Sequence, residues 1–271
     1  MKLIRRVIKI IETKSLSIEK RYRLVFSMTA LSGLLLGSTF FFFTDSYMFL
    51  PILIVATYLL TYFSVLEGID GFEWFSLFIM PVLVTVAFYL FFFLFPVRWI
   101  TRVPFIVIYG ISIYAALLCS NIFNVGVEKS LQLYRAAYSV NFFYQTIVAF
   151  LLFNAIFSFR MNFIANALMV GIMAFVLSLQ VISTIRLEEK INRGLLLNAL
   201  LISLVMVEVA IAVSFLPLRI TITSLFLTAV YYSSSGLLAH FLDEKLFRET
   251  VREYLVVLGF TTVIVLFSLK W

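Results

Sequence analysis

Nine apolar runs of about twenty residues follow one another along the chain, at roughly 24–43, 46–66, 75–96, 103–123, 138–158, 162–183, 194–215, 219–241 and 254–270, and a membrane-spanning helix needs about that length. The breaks between them are short: Thr44-Asp45, Glu67–Trp74, Pro96–Trp99, Asn124–Ala137, Ser158–Arg160, Arg186–Arg193, Leu216–Arg219 and Asp243–Glu253. None is long enough for a soluble domain. Of 271 residues, 63% are hydrophobic and 13% charged, against about 25% charged in soluble domains. A globule in water has to cover itself with polar groups that this chain lacks. The expected fold is therefore all-α: a polytopic α-helical integral membrane protein with about nine transmembrane helices, or eight if one run is re-entrant. Its parts would be a basic amphipathic cytoplasmic segment, residues 1–23, and a single helical transmembrane domain, residues 24–271. The 31 Phe and 13 Tyr fit a lipid-facing surface with aromatic belts at its edges.

Charge sets the expected orientation. Residues 1–23 hold eight Lys or Arg. With that end in the cytoplasm, sixteen Lys and Arg fall inside and five outside, together the 21 of the chain. Nine spans then give N-in/C-out, and the localisation read from this is the plasma membrane, multi-pass. The acidic Glu67–Trp74 break would lie inside, against the trend, but acidic residues weigh little in the rule. The net charge of +7 is read as this asymmetry plus attraction of the N-terminal segment to anionic headgroups, not as a nucleic-acid footprint. Leu3, Ile4, Val7, Ile8, Ile10 and Ile11 recur near helical spacing between Lys2, Arg5, Arg6 and Lys9, as in a helix lying on a membrane face. No small-residue cleavage site follows, so the segment does not read as a secretory signal.

Chemistry-bearing residues are few. The only cysteine, Cys119, lies in an apolar run, so an intramolecular disulfide and a Cys-based metal cage are excluded and a packing role is expected. The only histidine, His240, stands at the edge of a span, and no zinc site is read from it. There is no HExxH, no GxxxxGK[ST], no GxSxG and no GxGxxG. Asp45, Asp70 and Asp243 all lie in breaks, so no intramembrane aspartate pair exists. No cofactor is implied. Gly33 and Gly37 form a GxxxG, the spacing that lets two helix backbones approach closely; packing within the chain is the first expectation and a homodimer the second.

One carboxylate stands inside a span. Glu208 lies about 21 Å along the run from Gly194, in its outer third, and an acidic side chain there is costly unless partnered. On the N-in topology Asn154, Arg160, Asn166, Arg219 and Thr223 share its depth, so these six are the candidate polar cluster. Glu208 ion-paired to Arg160 or Arg219 as a packing device is the first reading, and a functional polar pocket the second. On the inner side, Asn141, Tyr144 and Gln145 sit low in the fifth span, beside Arg135 and Glu128. The mixed-sign Asp243–Tyr254 reads as a surface connector or a partner-docking helix.

Several stretches together resemble a known group: Ile156–Arg160 (IFSFR), Leu187–Lys190 (LEEK), Glu208 followed by Ser214–Pro217 (SFLP), Leu246-Phe-Arg248 with Val251–Leu255 (VREYL), Lys270-Trp271, and Leu133–Ala137 (LYRAA). They are similar to uncharacterised polytopic membrane proteins, a domain of unknown function, from candidate-phyla bacteria of the Microgenomates type. The resemblance covers roughly residues 100–271. It implies a membrane protein in a bacterial setting and supplies no chemistry.

The function expected is a bacterial inner-membrane protein without a catalytic centre, a structural or assembly component with the bilayer and an unidentified protein as partners. The first alternative is a small-molecule or lipid-like carrier with a polar pocket around Glu208, Asn154 and Asn166, although no internal repeat points that way. The second is a membrane enzyme acting on a lipid headgroup, with Arg98, Arg102 and Arg160 receiving phosphate.

Overall fold

A computed structural model describes residues 19–41, 46–65, 74–94, 99–125, 131–186 and 193–269. Residues 1–18 of the basic N-terminal segment lie outside the described residues, as do Asp45, Asp70, Arg98, Glu128, Leu187–Lys190 and Lys270-Trp271. The described residues form nine helices and no strand: α1 Lys20–Phe41, α2 Ser46–Val65, α3 Trp74–Phe92, α4 Trp99–Val125, α5 Leu131–Ser158, α6 Phe163–Arg186, α7 Arg193–Ser214, α8 Ile220–Leu242 and α9 Arg248–Ser268. Eight of them are long and apolar enough to cross a membrane, and α3 holds a shorter apolar stretch, Leu77–Phe92. Two helices start well before their apolar runs, α5 at Leu131 and α9 at Arg248. Arg248–Tyr254 is thus the opening of α9 and not a separate surface helix. A helix backbone bonds to itself, so it continues past the apolar run while its side chains turn polar.

The chain divides into two compact units, Met1–Tyr89 with Pro96–Asn141, and Leu90–Phe95 with Phe142–Trp271.

In the first unit, α1 packs against α2 and α4 through Leu24, Ser27, Leu31, Leu35 and Ser38, all buried and spaced three or four apart. Hydroxyl groups tie the helices together. Ser64 donates to Ser27 Oγ at 2.8 Å, and Ser27 to Leu60 O at 3.2 Å. Thr57 donates to Thr85 at 3.1 Å, and Thr85 and Tyr109 share a hydrogen bond at 3.0 Å, linking α2, α3 and α4 in a buried chain. Asn124 donates to Val65 O at 3.2 Å, serving a carbonyl at the end of α2 that has no partner within its helix. Leu77, Phe78, Cys119, Phe123, Tyr134 and Ala137 form a buried cluster, with Cys119 Sγ 3.5 Å from Ala137 O. Cys119 is a packing residue, as its place in an apolar run indicated.

Pro81 explains one of these contacts. It lies inside α3 and has no N–H, so Leu77 O, four residues earlier, loses its helical donor. Ser120 of α4 supplies the missing donor at 2.8 Å. Ser120→Ala is therefore expected to destabilise the protein by about 1–2 kcal/mol. In a Pro81→Ala background, where the restored backbone N–H can reach Leu77 O, most of that cost should vanish. A double-mutant cycle in detergent unfolding measures it, and an equal Ser120→Ala cost in both backgrounds would remove the explanation.

In the second unit, α6 pairs along its length with α7, and α8 with α9; α8 also meets α6 and α7. Gln145 Nε2 donates to Leu177 O, and Ser203 Oγ to Gly171 O at 2.8 Å. Two glycines stand where the facing helix leaves no room for a side chain. A Cβ on Gly171 would overlap Val207 Cγ2, and one on Gly236 would stand 2.5 Å from the Tyr254 ring. Leu179, Ile182, Leu195 and Ala199 make a further buried cluster between α6 and α7.

Candidate functional site

All six residues of the candidate cluster belong to the second unit, but they divide between its interior and its surface. Asn154, Asn166 and Thr223 are buried at 7%, 6% and 5% exposure, whereas Arg160, Glu208 and Arg219 are exposed. The packed side of α7 is set by Leu195, Ala199, Ile202, Met206, Ala210 and Val213. Glu208 is two residues from both Met206 and Ala210, hence about 200° around the helix from each. It stands on the opposite stripe with Leu197, Leu201 and Leu204, all exposed. No ion pair joins Glu208 to Arg160 or Arg219 among the described residues, where the ion pair present is Lys245–Asp243.

Asn166, Thr223 and the turn at Arg160 engage local backbone. Arg160 closes α5 with φ 48°, a left-handed conformation that costs a residue with a Cβ about 1–2 kcal/mol. The turn uses its backbone, while the side chain is exposed at the surface. Asn162 caps α6, its Oδ1 accepting from Ala165 N–H at 2.7 Å. Asn166 Nδ2 donates to Met161 O at 3.2 Å, leaving its Oδ1 buried without a donor. Thr223 Oγ1 lies 3.4 Å from Arg219 O in the first turn of α8. Among the described residues no hydrogen bond joins a side chain of one helix in this group to a side chain of another. The shared depth read from the sequence therefore did not translate into a shared face.

In the first half of α5, Asn141 and Gln145 are buried and Arg135 is exposed. His240 is half-buried, its ring 6.0 Å from Tyr254, which in turn packs 5.2 Å from Tyr232. Tyr232 packs 5.3 Å from Phe142. These rings lie on one another as packing. No three His, Cys, Asp or Glu side chains converge as metal ligands among the described residues.

Gly33 and Gly37 also stand apart. A Cβ on either meets nothing within 4 Å. The close approach on α1 falls one residue earlier, at Ser32, whose Oγ would lie 3.1 Å from a Cβ on Gly110 of α4. Gly33 is two residues from both Leu31 and Leu35 and so turns away from the packed face. Among the described residues Gly110, Gly171 and Gly236, which sit in no GxxxG, are the glycines where helices come close. Their signal in the sequence was only a small residue opposite a bulky one, visible once the helix pairs are known.

Among buried charges, Arg102 near the start of α4 is 8% exposed, with its guanidinium carbon 4.6 Å from the centre of the Phe40 ring. No curated protein and no solved structure matches the chain. Residues 65–268, well over half of the 271, match the family model described as a protein of unknown function (DUF5656), and the chain belongs to that family.

Proposed function

We propose that this is a multi-pass protein of the bacterial inner membrane, with nine spans in the N-in/C-out orientation, acting as an assembly component that has no catalytic centre of its own. Its docking surface is the exposed stripe of α7. The observation that carries this is Glu208: a carboxylate in the second half of an apolar helix, exposed, and without an ion pair among the described residues. A charge facing lipid costs about 2.5–3.5 kcal/mol at a helix centre on insertion scales, and Glu208, off centre, bears part of that cost. A partner transmembrane helix bearing Arg, Lys or an amide at the same depth removes that cost. Leu197, Leu201, Leu204 and Glu208 follow a four-three-four spacing, which is a seam suited to one helix. The carrier alternative places Glu208 in a pocket with Asn154 and Asn166 and draws less support, since those two are buried and Glu208 is not.

Glu208→Leu tests whether the chain itself uses the carboxylate for packing. In purified protein it should leave the melting temperature unchanged or raise it, since no described residue of the chain holds the carboxylate. A loss of several degrees would make Glu208 an internal packing device and end the docking proposal.

A further inference from the structure

We propose that the start of α4 together with Arg102 forms a binding site for a phosphate group, with the phosphodiester of a membrane lipid as its occupant. The site lies wholly in the first unit and is independent of Glu208. Three observations meet there. First, α4 begins at Trp99 and has no acidic residue in its first turn. The dipole of the helix presents positive charge at that end, and no acidic side chain of the turn answers it. Second, Arg102 sits one turn in, where a cation opposes that dipole, and helical side chains lean back toward the N-terminus. Third, Arg102 is more than nine-tenths buried. Among the described residues its partner is the face of Phe40, 4.6 Å away, and its Nε–H is buried with no acceptor.

The ring contact supplies no hydrogen-bond acceptor, and a guanidinium carries five N–H donors, so the buried Nε–H still lacks one. No carboxylate among the described residues pairs with Arg102; the described ion pair is elsewhere. Two positive features held together, one of them desolvated, are a poor arrangement for an empty site and a good one for an anion. Phosphate fits best: tetrahedral oxygens accept two N–H bonds from a guanidinium in parallel and further bonds from a helix N-terminus. Trp99 adds the location. It is 64% exposed and packs 4.9 Å from Phe40, as an aromatic at the headgroup level would. Arg102 lies about 4.5 Å along the helix from Trp99, within reach of a lipid phosphate.

The test uses the full-length protein in a neutral detergent, with lipid binding followed by native mass spectrometry and melting temperature. The probes are short-chain phosphatidylglycerol, diacylglycerol of the same chain length, and inorganic phosphate. The wild type should bind and be stabilised by phosphatidylglycerol but not by diacylglycerol. Arg102→Gln should weaken phosphatidylglycerol at least about tenfold, the loss of one charge-assisted hydrogen bond. Arg102→Lys keeps the charge without the planar fork and should fall between; it also serves if the Gln variant does not fold. Inorganic phosphate stabilising the wild type alone, at the same concentration as the lipid, would support the same site with a free anion as its source. Equal phosphatidylglycerol affinity in the wild type and both variants would overturn the proposal. So would diacylglycerol binding as well as phosphatidylglycerol. So would Asp45→Asn reproducing the full loss of stability of Arg102→Gln while lipid affinity stayed the same, because a carboxylate would then be neutralising Arg102.

Discussion

Gly171→Ala is expected to destabilise the protein by about 1–3 kcal/mol, because the new methyl has nowhere to go. Its Cβ would overlap Val207 Cγ2, with Ser203 Oγ at 3.4 Å and Ser203 O at 3.7 Å behind it. Valine in a helix has one strongly preferred rotamer, so Val207 cannot swing aside cheaply and the α6–α7 pair has to open. Opening it also stretches the 2.8 Å hydrogen bond from Ser203 to Gly171 O. Val207→Ala removes the obstructing methyl groups, and the double variant should recover most of the loss relative to Val207→Ala alone. Gly33→Ala is the matched comparison. Nothing lies within 4 Å there, and alanine is the better helix former by about 0.5–1 kcal/mol, so the protein should be unchanged or slightly more stable. Unfolding in detergent–SDS mixtures reads both. Equal effects at Gly171 and Gly33 would contradict the helix pairing described for the second unit.

Gly236→Ala should cost more, about 3 kcal/mol, at the upper end for overpacking. Three atoms of Tyr254, Cε1, Cζ and Oη, would each lie 2.5 Å from the added carbon. The ring is held on other sides, 5.2 Å from Tyr232 and 6.0 Å from His240, and Tyr254 is buried. A displaced ring therefore moves its neighbours, and α9 has its main packing partner in α8. Tyr254→Ala is itself costly, about 3–5 kcal/mol for an emptied aromatic site. Once the ring is gone, however, Gly236→Ala should add nothing. Additive losses from the two changes would show that the glycine is not spared for the ring.

The helices were legible because their signal is overwhelming: a spanning helix is announced by some twenty apolar residues in a row. Helix starts were less so. Leu131–Ala137 and Arg248–Glu253 carry polar side chains on helical backbone, and hydropathy alone reads them as connectors. Side-chain direction was hardest. In a soluble helix the apolar stripe marks the inside, but α7 is apolar all round, so periodicity could not say which way Glu208 turns. Depth along the helix was readable and rotation about it was not. The small residues held the rotation: Ala199 and Ala210 lie on the packed side of α7, the places where a neighbouring helix comes near. Gly33 and Gly37 show the limit of that signal, since two small residues at the favoured spacing stand here on an open face. Ser120 shows another. Its partner is a backbone carbonyl released by Pro81, and no side-chain motif encodes that pairing.

The claim that α7 presents a protein-docking seam is tested most directly by a photo-crosslinking residue at Leu204, one turn from Glu208, in the native membrane. Leu266 of α9, also exposed, serves as the reference position. A discrete protein adduct should form at Leu204 and not at Leu266. It should disappear with Glu208→Leu and persist in part with Glu208→Gln, which still hydrogen-bonds. Its mass should correspond to a different membrane protein, and the crosslinked peptide should hold a basic or amide side chain within a span. Lipid adducts alone at Leu204, or a protein adduct unchanged by Glu208→Leu, would contradict the docking role of Glu208.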